Sequence, residues 1–128
     1  MNILIDTCAF VWVLQEPERL SAGAKDVFQS RDTTAYLSAV SVWELAVKYR
    51  LGKITLPDVP AVFVPEAMRR LNLEPLDLDV EAAVLAAELD DHHGDPFDRM
   101  LVCQALHHGL TILTPDRLIR RYGVSCVW

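Results

Sequence analysis

Four carboxylates stand at points of the chain from which they could jointly hold a cation: Asp6 in "ILIDT", Glu44 in "SAVSVWELAVKYRLGK", Asp98 in "DPFDRMLVCQAL" and Asp116 in "LTPD". Asp6 and Asp116 follow short apolar runs of strand character. Glu44 begins the helical pattern after another such run, and Asp98 lies in the first turn of a further helical pattern. Brought to one edge of a fold, four carboxylates repel one another and raise one another's pKa, a conflict that a divalent cation removes. An all-oxygen donor set favours Mg²⁺, with Mn²⁺ as a substitute, over zinc, which prefers nitrogen and sulfur. Ions held in this way suit phosphodiester cleavage, because they activate water, neutralise the phosphate and stabilise the leaving oxygen.

Each acid taken singly has a structural reading as well. Ser41-Val-Trp-Glu44 fits a capping box, in which Glu44 reaches back to an orphan backbone N–H. In "DHHGDPFDRM", Asp95 fits an N-cap, Pro96 the first helical position and Asp98 the positive end of the helix dipole. Thr114-Pro115-Asp116 can be read the same way, and Asp6 could cap a helix starting near Ala9. Thr7, Ser41 and Thr114 are short hydroxyl residues beside these acids, suited either to orient carboxylates and water or to cap helices. His92, His93, His107 and His108 form two adjacent pairs, one before a helix and one at its end. With no common face and no matching third ligand, they are expected on the surface and not in a transition-metal site.

The elements that must position these acids alternate. "NILI" is a strand, "AFVWVLQ" a helix, "LSAGAKDVFQS" a helix capped by Ser21, and "AYLSAV" (35–40) a buried strand. The helix "SVWELAVKYRLGK" ends at Gly52, and the Pro-bounded stretch 57–65 reads as a connection before the helical "EAMRRL". "LEPLDLD" is a short strand and "VEAAVLAAEL" a helix. The helix through "FDRMLVCQALHHG" closes at Gly109, followed by strand "LTILT", helix "RLIRRYG" and strand "VSCVW". This alternation predicts an α/β fold, a three-layer α/β/α domain around a mainly parallel sheet, with functional groups beyond the carboxyl ends of its strands.

A length of 128 residues and 52% hydrophobic content match one domain with a full core, spanning 1–128. No apolar block approaches the ~18–20 residues of a membrane span, and the N-terminus lacks a basic leader, so a soluble, cytoplasmic protein with no membrane association is expected. Three cysteines without C-x-x-C spacing argue against a disulfide framework or zinc ribbon, and Cys8, Cys103 and Cys126 read as packing residues. Trp12 and Trp43 read as core. A net charge of −6 excludes whole-chain attraction to nucleic acid and leaves only local basic surfaces or bound cations for that role.

Together "ILIDT", "SAVSVWELAVKYRLGK", "DPFDRMLVCQAL" and "LTPD" resemble the PIN-domain ribonucleases, and more narrowly the VapC toxins of bacterial and archaeal toxin–antitoxin modules. The resemblance spans essentially the whole chain, in order. It implies a Mg²⁺-dependent endoribonuclease that hydrolyses single-stranded or loop RNA, leaving 5′-phosphate and 3′-hydroxyl ends, with no side-chain nucleophile. It also implies Asp6 and Asp98 as the most direct metal ligands, Glu44 and Asp116 as completing the shell, and Asp95 as an auxiliary acid. Its implied partners are a cognate VapB-like antitoxin and a second copy of the chain as a homodimer, against which the apolar "AFVWVL" helix could be buried.

An acidic enzyme acting on a polyanion needs local cations beside its metal. Lys48, Arg50 and Lys53 follow Glu44, Arg99 adjoins Asp98, and Arg117, Arg120 and Arg121 follow Asp116; all are candidate phosphate contacts. Lys48 is equally spaced for an i,i+4 pair with Glu44, and Arg117 to Arg121 for a solvated helix face. Two rival Mg²⁺-binding classes fit less well. A haloacid-dehalogenase-type phosphatase wants D-x-D where "DTCA" has Cys8, and a receiver signalling domain wants an acidic pair near strand 1 and a late lysine. A PIN fold serving only as a scaffold would not need all four acids.

Overall fold

The computed structural model describes residues 1–128. Its order is β1 (Asn2–Ile5), α1 (Thr7–Gln15), a 3₁₀ turn (Pro17–Arg19), α2 (Ala22–Gln29), β2 (Thr34–Ser38), α3 (Ala39–Arg50), α4 (Pro60–Leu71), β3 (Leu73–Leu76), α5 (Val80–Glu88), α6 (Pro96–His108), β4 (Thr111–Leu113), α7 (Arg117–Arg120) and β5 (Cys126–Val127). The five strands form one sheet in the order β3-β2-β1-β4-β5, every pair parallel. Strand order reverses at β1, so the crevice beyond its carboxyl end is the topological switch point where open α/β sheets place their sites.

Side-chain alternation along β1 explains the three layers. Ile3 and Ile5 point into one core with Phe10, Ala24, Leu37, Leu45, Val64 and Leu113, beneath α1 to α4. Leu4 points the other way, into a second core with Val40, Leu101, Val102, Ile112 and Ile119, beneath α6 and α7. Helices α5 and α6 pack together through Ala82, Ala86 and Cys103, whose small side chains let the two backbones approach.

Two local expectations are corrected, and the expected sheet is borne out. Strand β2 stops at Ser38, because its hydroxyl accepts from the Val40 N–H (3.0 Å) and starts α3 at Ala39. Helix α4 begins at Pro60 and runs through Pro65, so 57–65 is not simply a connection. Pro65 removes one helical hydrogen bond, but Pro60 suits the first position, and burial of Val64 and Ala67 against the first core outweighs the loss. The sheet is wholly parallel, because each connection carries a helix across a face. No helix is long and apolar enough to cross a membrane.

Candidate active site

Asp6 is the first residue beyond β1, and its placement follows from capping: Oδ1 accepts from the Ala9 N–H at 2.7 Å and turns the chain into α1. Its other oxygen accepts from the Thr114 hydroxyl, just past β4, which itself accepts from the Asp116 N–H at 3.0 Å. Thr114 thereby ties the acids of two neighbouring strands. Asp116 caps α7 through the Leu118 N–H at 2.8 Å. Asp95 caps α6, accepting from Phe97 N–H (2.8 Å) and, more weakly, from Asp98 N–H (3.4 Å), which sets Asp98 on the first turn facing the same edge.

Glu44 reaches this edge by a different route from the one its sequence suggests. The cap of α3 is Ser38, three residues before Ser41, so Glu44 lies inside the helix and its carboxylate is not engaged in a capping box. Its Oε1 accepts from Thr7 Oγ1 at 2.7 Å, and its Oε2 pairs with Lys48 one turn on. Ser41 is buried with its hydroxyl unpartnered, and it is not one of the residues lining the cleft. Ser38 instead donates to Gln104 on α6, whose amide donates to the Asp77 carbonyl at 3.0 Å, locking β2 to the helix that carries Asp98.

Asp6, Glu44, Asp95, Asp98 and Asp116 line one cleft of about 350 Å³ with Lys48, Thr7, Cys8, Val11 and Trp12. Burial pushes the Asp6 carboxyl up to about 6; hydrogen bonds from Thr114 and Ala9 oppose this, and the charges of Asp116 and Glu44 add to it. Burial also pushes Asp98 up to about 7, reinforced by Asp95 and opposed by His93. Lys48 is held above the usual lysine range: desolvation works against this, but the hydrogen bond and charge of Glu44 prevail. The cleft therefore gathers more negative charge than its single lysine balances.

His93 is a site residue with no local signal in the sequence. Expected on the surface, its side chain is instead only 11% exposed, with Nε2 lying 2.8 Å from Asp116 Oδ2 and 3.1 Å from Asp98 Oδ2. Its Nδ1 accepts from the Asp95 N–H at 3.0 Å, so the ring proton sits on Nε2 and is donated to Asp116, with Asp98 close beside it. A ligating histidine needs the opposite tautomer, with its free ring N–H donated to a neighbour. His93 is accordingly a hydrogen-bond clamp, and the cleft offers a cation oxygen donors only. That set fits Mg²⁺ or Mn²⁺.

Arg99 is likewise placed otherwise than expected. Its guanidinium, 13% exposed, donates to the carbonyls of Ala86 (2.9 Å), Leu89 (2.7 Å), Asp90 (3.1 Å) and His93 (3.3 Å), so it is spent on backbone and is not free for phosphate. The Tyr122 hydroxyl also accepts from the His93 N–H at 2.9 Å. These contacts fix the 89–95 loop that delivers His93. Lys48 lines the cleft as the i,i+4 partner of Glu44, while Arg50, Lys53, Arg117, Arg120 and Arg121 are exposed.

Two packing expectations also change. Trp43 is 63% exposed, resting edge-on against Phe97 at 5.4 Å, because α3 turns it away from both cores. Cys8 is exposed at the rim of the cleft, where partial desolvation and then the Asp6 charge push its thiol up to about 11. Trp12 is half-buried between Trp128 (5.7 Å) and the Arg19 guanidinium (4.2 Å).

Comparison with known proteins agrees with this architecture. The PIN domain family matches residues 3–124. The chain is similar to Ribonuclease VapC16 of Mycobacterium tuberculosis, 36% identical over 114 residues covering 85% of this chain and 76% of that protein. It is also similar to Ribonuclease VapC22 of the same organism, 30% identical over 125 residues covering 94% and 92%. Among solved structures, VapBC2 from Rickettsia felis, bound to a DNA fragment from their promoter, superposes with a TM-score of 0.72 at 15% identity, over 98% of this chain and 97% of that one.

Proposed function

The chain belongs to the PIN-domain family, among its VapC-like ribonucleases, and from that membership we propose that it is a metal-dependent endoribonuclease, the toxin of a toxin–antitoxin module. The observation that carries the reading is the convergence of Asp6, Glu44, Asp98 and Asp116, from four separate segments, on one cleft at the switch point of the sheet. Asp6 and Asp98 would hold Mg²⁺ or Mn²⁺ most directly, with Glu44 and Asp116 completing the oxygen set. When bound, the ion supplies activation of water and neutralisation of the scissile phosphate. Thr7, Thr114 and His93 hold the acids in register by donating to them, and Lys48 offsets part of the charge on Glu44. Lys48 at the cleft and the exposed Arg117 are the proposed RNA contacts.

A cognate VapB-like antitoxin is the proposed protein partner. The VapC relatedness supports it, as does apolar surface beside the cleft, where Val11 and Trp12 line the wall and Trp43 stands exposed nearby. A homodimer and a cytoplasmic location belong to the same proposal. The direct test is incubation of purified protein with a panel of structured RNAs, with and without Mg²⁺ or Mn²⁺, beside Asp6→Asn and Asp98→Asn. Cleavage that needs the cation and disappears in both variants is expected. Equal cleavage by wild type and variants, or none dependent on cation, would overturn the reading.

A further inference from the structure

At the far end of α6, about 15 Å of helix beyond Asp98, a second group of ligand-type side chains comes together. His107 Nε2 lies 3.2 Å from Asp79 Oδ2, and His108 Nε2 lies 3.3 Å from Asp79 Oδ1. These ligand atoms all fall within 4.8 Å of one another. The third ligand has no signal near the histidine pair in the sequence, because Asp79 lies 29 residues from His108 and is supplied by the start of α5.

Three features are unusual for a merely solvated helix end. Consecutive helical residues do not ordinarily face one another, yet these two rings stand 4.9 Å apart and aim at one carboxylate. Asp79 occupies the N-cap of α5, where an aspartate normally accepts a first-turn N–H, but it makes no cap hydrogen bond and its Oδ2 is buried without a hydrogen-bond partner. The N···O separations exceed the ~2.7–2.9 Å of a charge-assisted hydrogen bond. Each ring faces a different oxygen of that carboxylate, so neither oxygen is closed off by a short hydrogen bond.

We propose that Asp79, His107 and His108 form a second metal site, distinct from the acidic cleft, for a borderline transition-metal ion of the Zn²⁺ type. Two imidazole nitrogens and a carboxylate supply three ligands, a set that hard Mg²⁺ does not favour and Zn²⁺ does, with the remaining position open to water. The histidines are 42% and 36% exposed, so the ion has a path from solvent. It would staple the start of α5 to the end of α6, while Arg99 already joins the opposite ends of the same two helices.

Calorimetric titration of the full chain with Zn²⁺, in excess Mg²⁺ to occupy the cleft, tests the site. One Zn²⁺ per chain is expected. Affinity should fall at least ~10-fold in each of His107→Ala, His108→Ala and Asp79→Asn, and stay unchanged in Asp98→Asn. Asparagine is itself a good N-cap and both histidines are exposed, so folded variants are expected, with circular dichroism as the check. Wild-type affinity in any of the three variants, no Zn²⁺ bound by wild type, or loss of binding in Asp98→Asn would overturn the assignment.

Discussion

His93 Nε2 stands 2.8 Å from Asp116 Oδ2, across 23 residues of sequence, and the same proton also faces Asp98 at 3.1 Å. With Nδ1 occupied by the Asp95 N–H, Nε2 is the ring's donor and stands between the third and fourth acids. Residues that orient metal-binding carboxylates typically matter ~10–100-fold for affinity or activity. His93→Ala should therefore raise the Mg²⁺ concentration for half-maximal RNA cleavage within that range, with His93→Gln partly restoring it. Direct Mn²⁺ binding, followed by paramagnetic resonance, should weaken in parallel. An unchanged metal requirement in His93→Ala would remove the ring from the site.

The sequence displayed whatever was local. An apolar run ending in Asp6, the Asp95-Pro96 helix start that aims Asp98, and the hydroxyls of Thr7 and Thr114 could all be seen because capping and strand periodicity act over a few residues. What stayed hidden depends on distant segments meeting. His93 gains its role only when the 89–95 loop is pulled in by Arg99 and Tyr122. Ser41 and Ser38 are both plausible caps three residues apart, and Ser38 prevails through its contact with Gln104, 66 residues away. Asp79 was invisible as a partner of the histidines for the same reason.

The two raised carboxyls predict a pH-dependent stability that metal reverses. Against an ordinary value of 3.8, Asp6 lies at about 6 and Asp98 at about 7 in the fold. A raised carboxyl means that the folded state binds protons the unfolded chain has released, so stability falls as pH rises. The contribution is fully present below the ordinary value and is lost as pH climbs through the two folded values. In chelator, the melting temperature should drop between roughly pH 4 and pH 7, and added Mg²⁺ should recover more at the higher pH. Asp98→Asn should flatten the profile and stabilise the metal-free protein at high pH while abolishing cleavage. A profile that is the same in wild type and Asp98→Asn would contradict this charge assignment.

Thr114 links both chemistry and folding to Asp6. Its hydroxyl is buried and serves one oxygen of a carboxylate that is itself buried. Thr114→Val keeps the shape and removes the donor, which should cost about 1–3 kcal/mol in urea unfolding. Thr114→Ser should retain most of the stability. Since that hydrogen bond lowers the Asp6 pKa, the valine variant should also shift the stability transition to higher pH. Wild-type unfolding by Thr114→Val would show the contact to be idle.

Arg99 and Arg117 separate structural from RNA-binding cations, although both flank the acids in sequence. Arg99 spends its donors on four backbone carbonyls around the loop that carries His93, whereas Arg117 is exposed on α7. A phosphate contact on single-stranded RNA adds about 0.7 to the slope of log affinity against log salt. Measured on a cleavage-dead Asp98→Asn background, Arg117→Ala should reduce that slope by about this amount with little change in unfolding. Arg99→Ala should leave the slope of the folded protein unchanged and lower its stability by at least ~1.5–3 kcal/mol, the range for hydrogen bonds involving a charged group. Arg99→Lys should rescue little, because one ammonium cannot reproduce the planar fork that reaches several carbonyls at once. A reduced salt slope with unaltered unfolding in Arg99→Ala would instead return this residue to the RNA-binding surface.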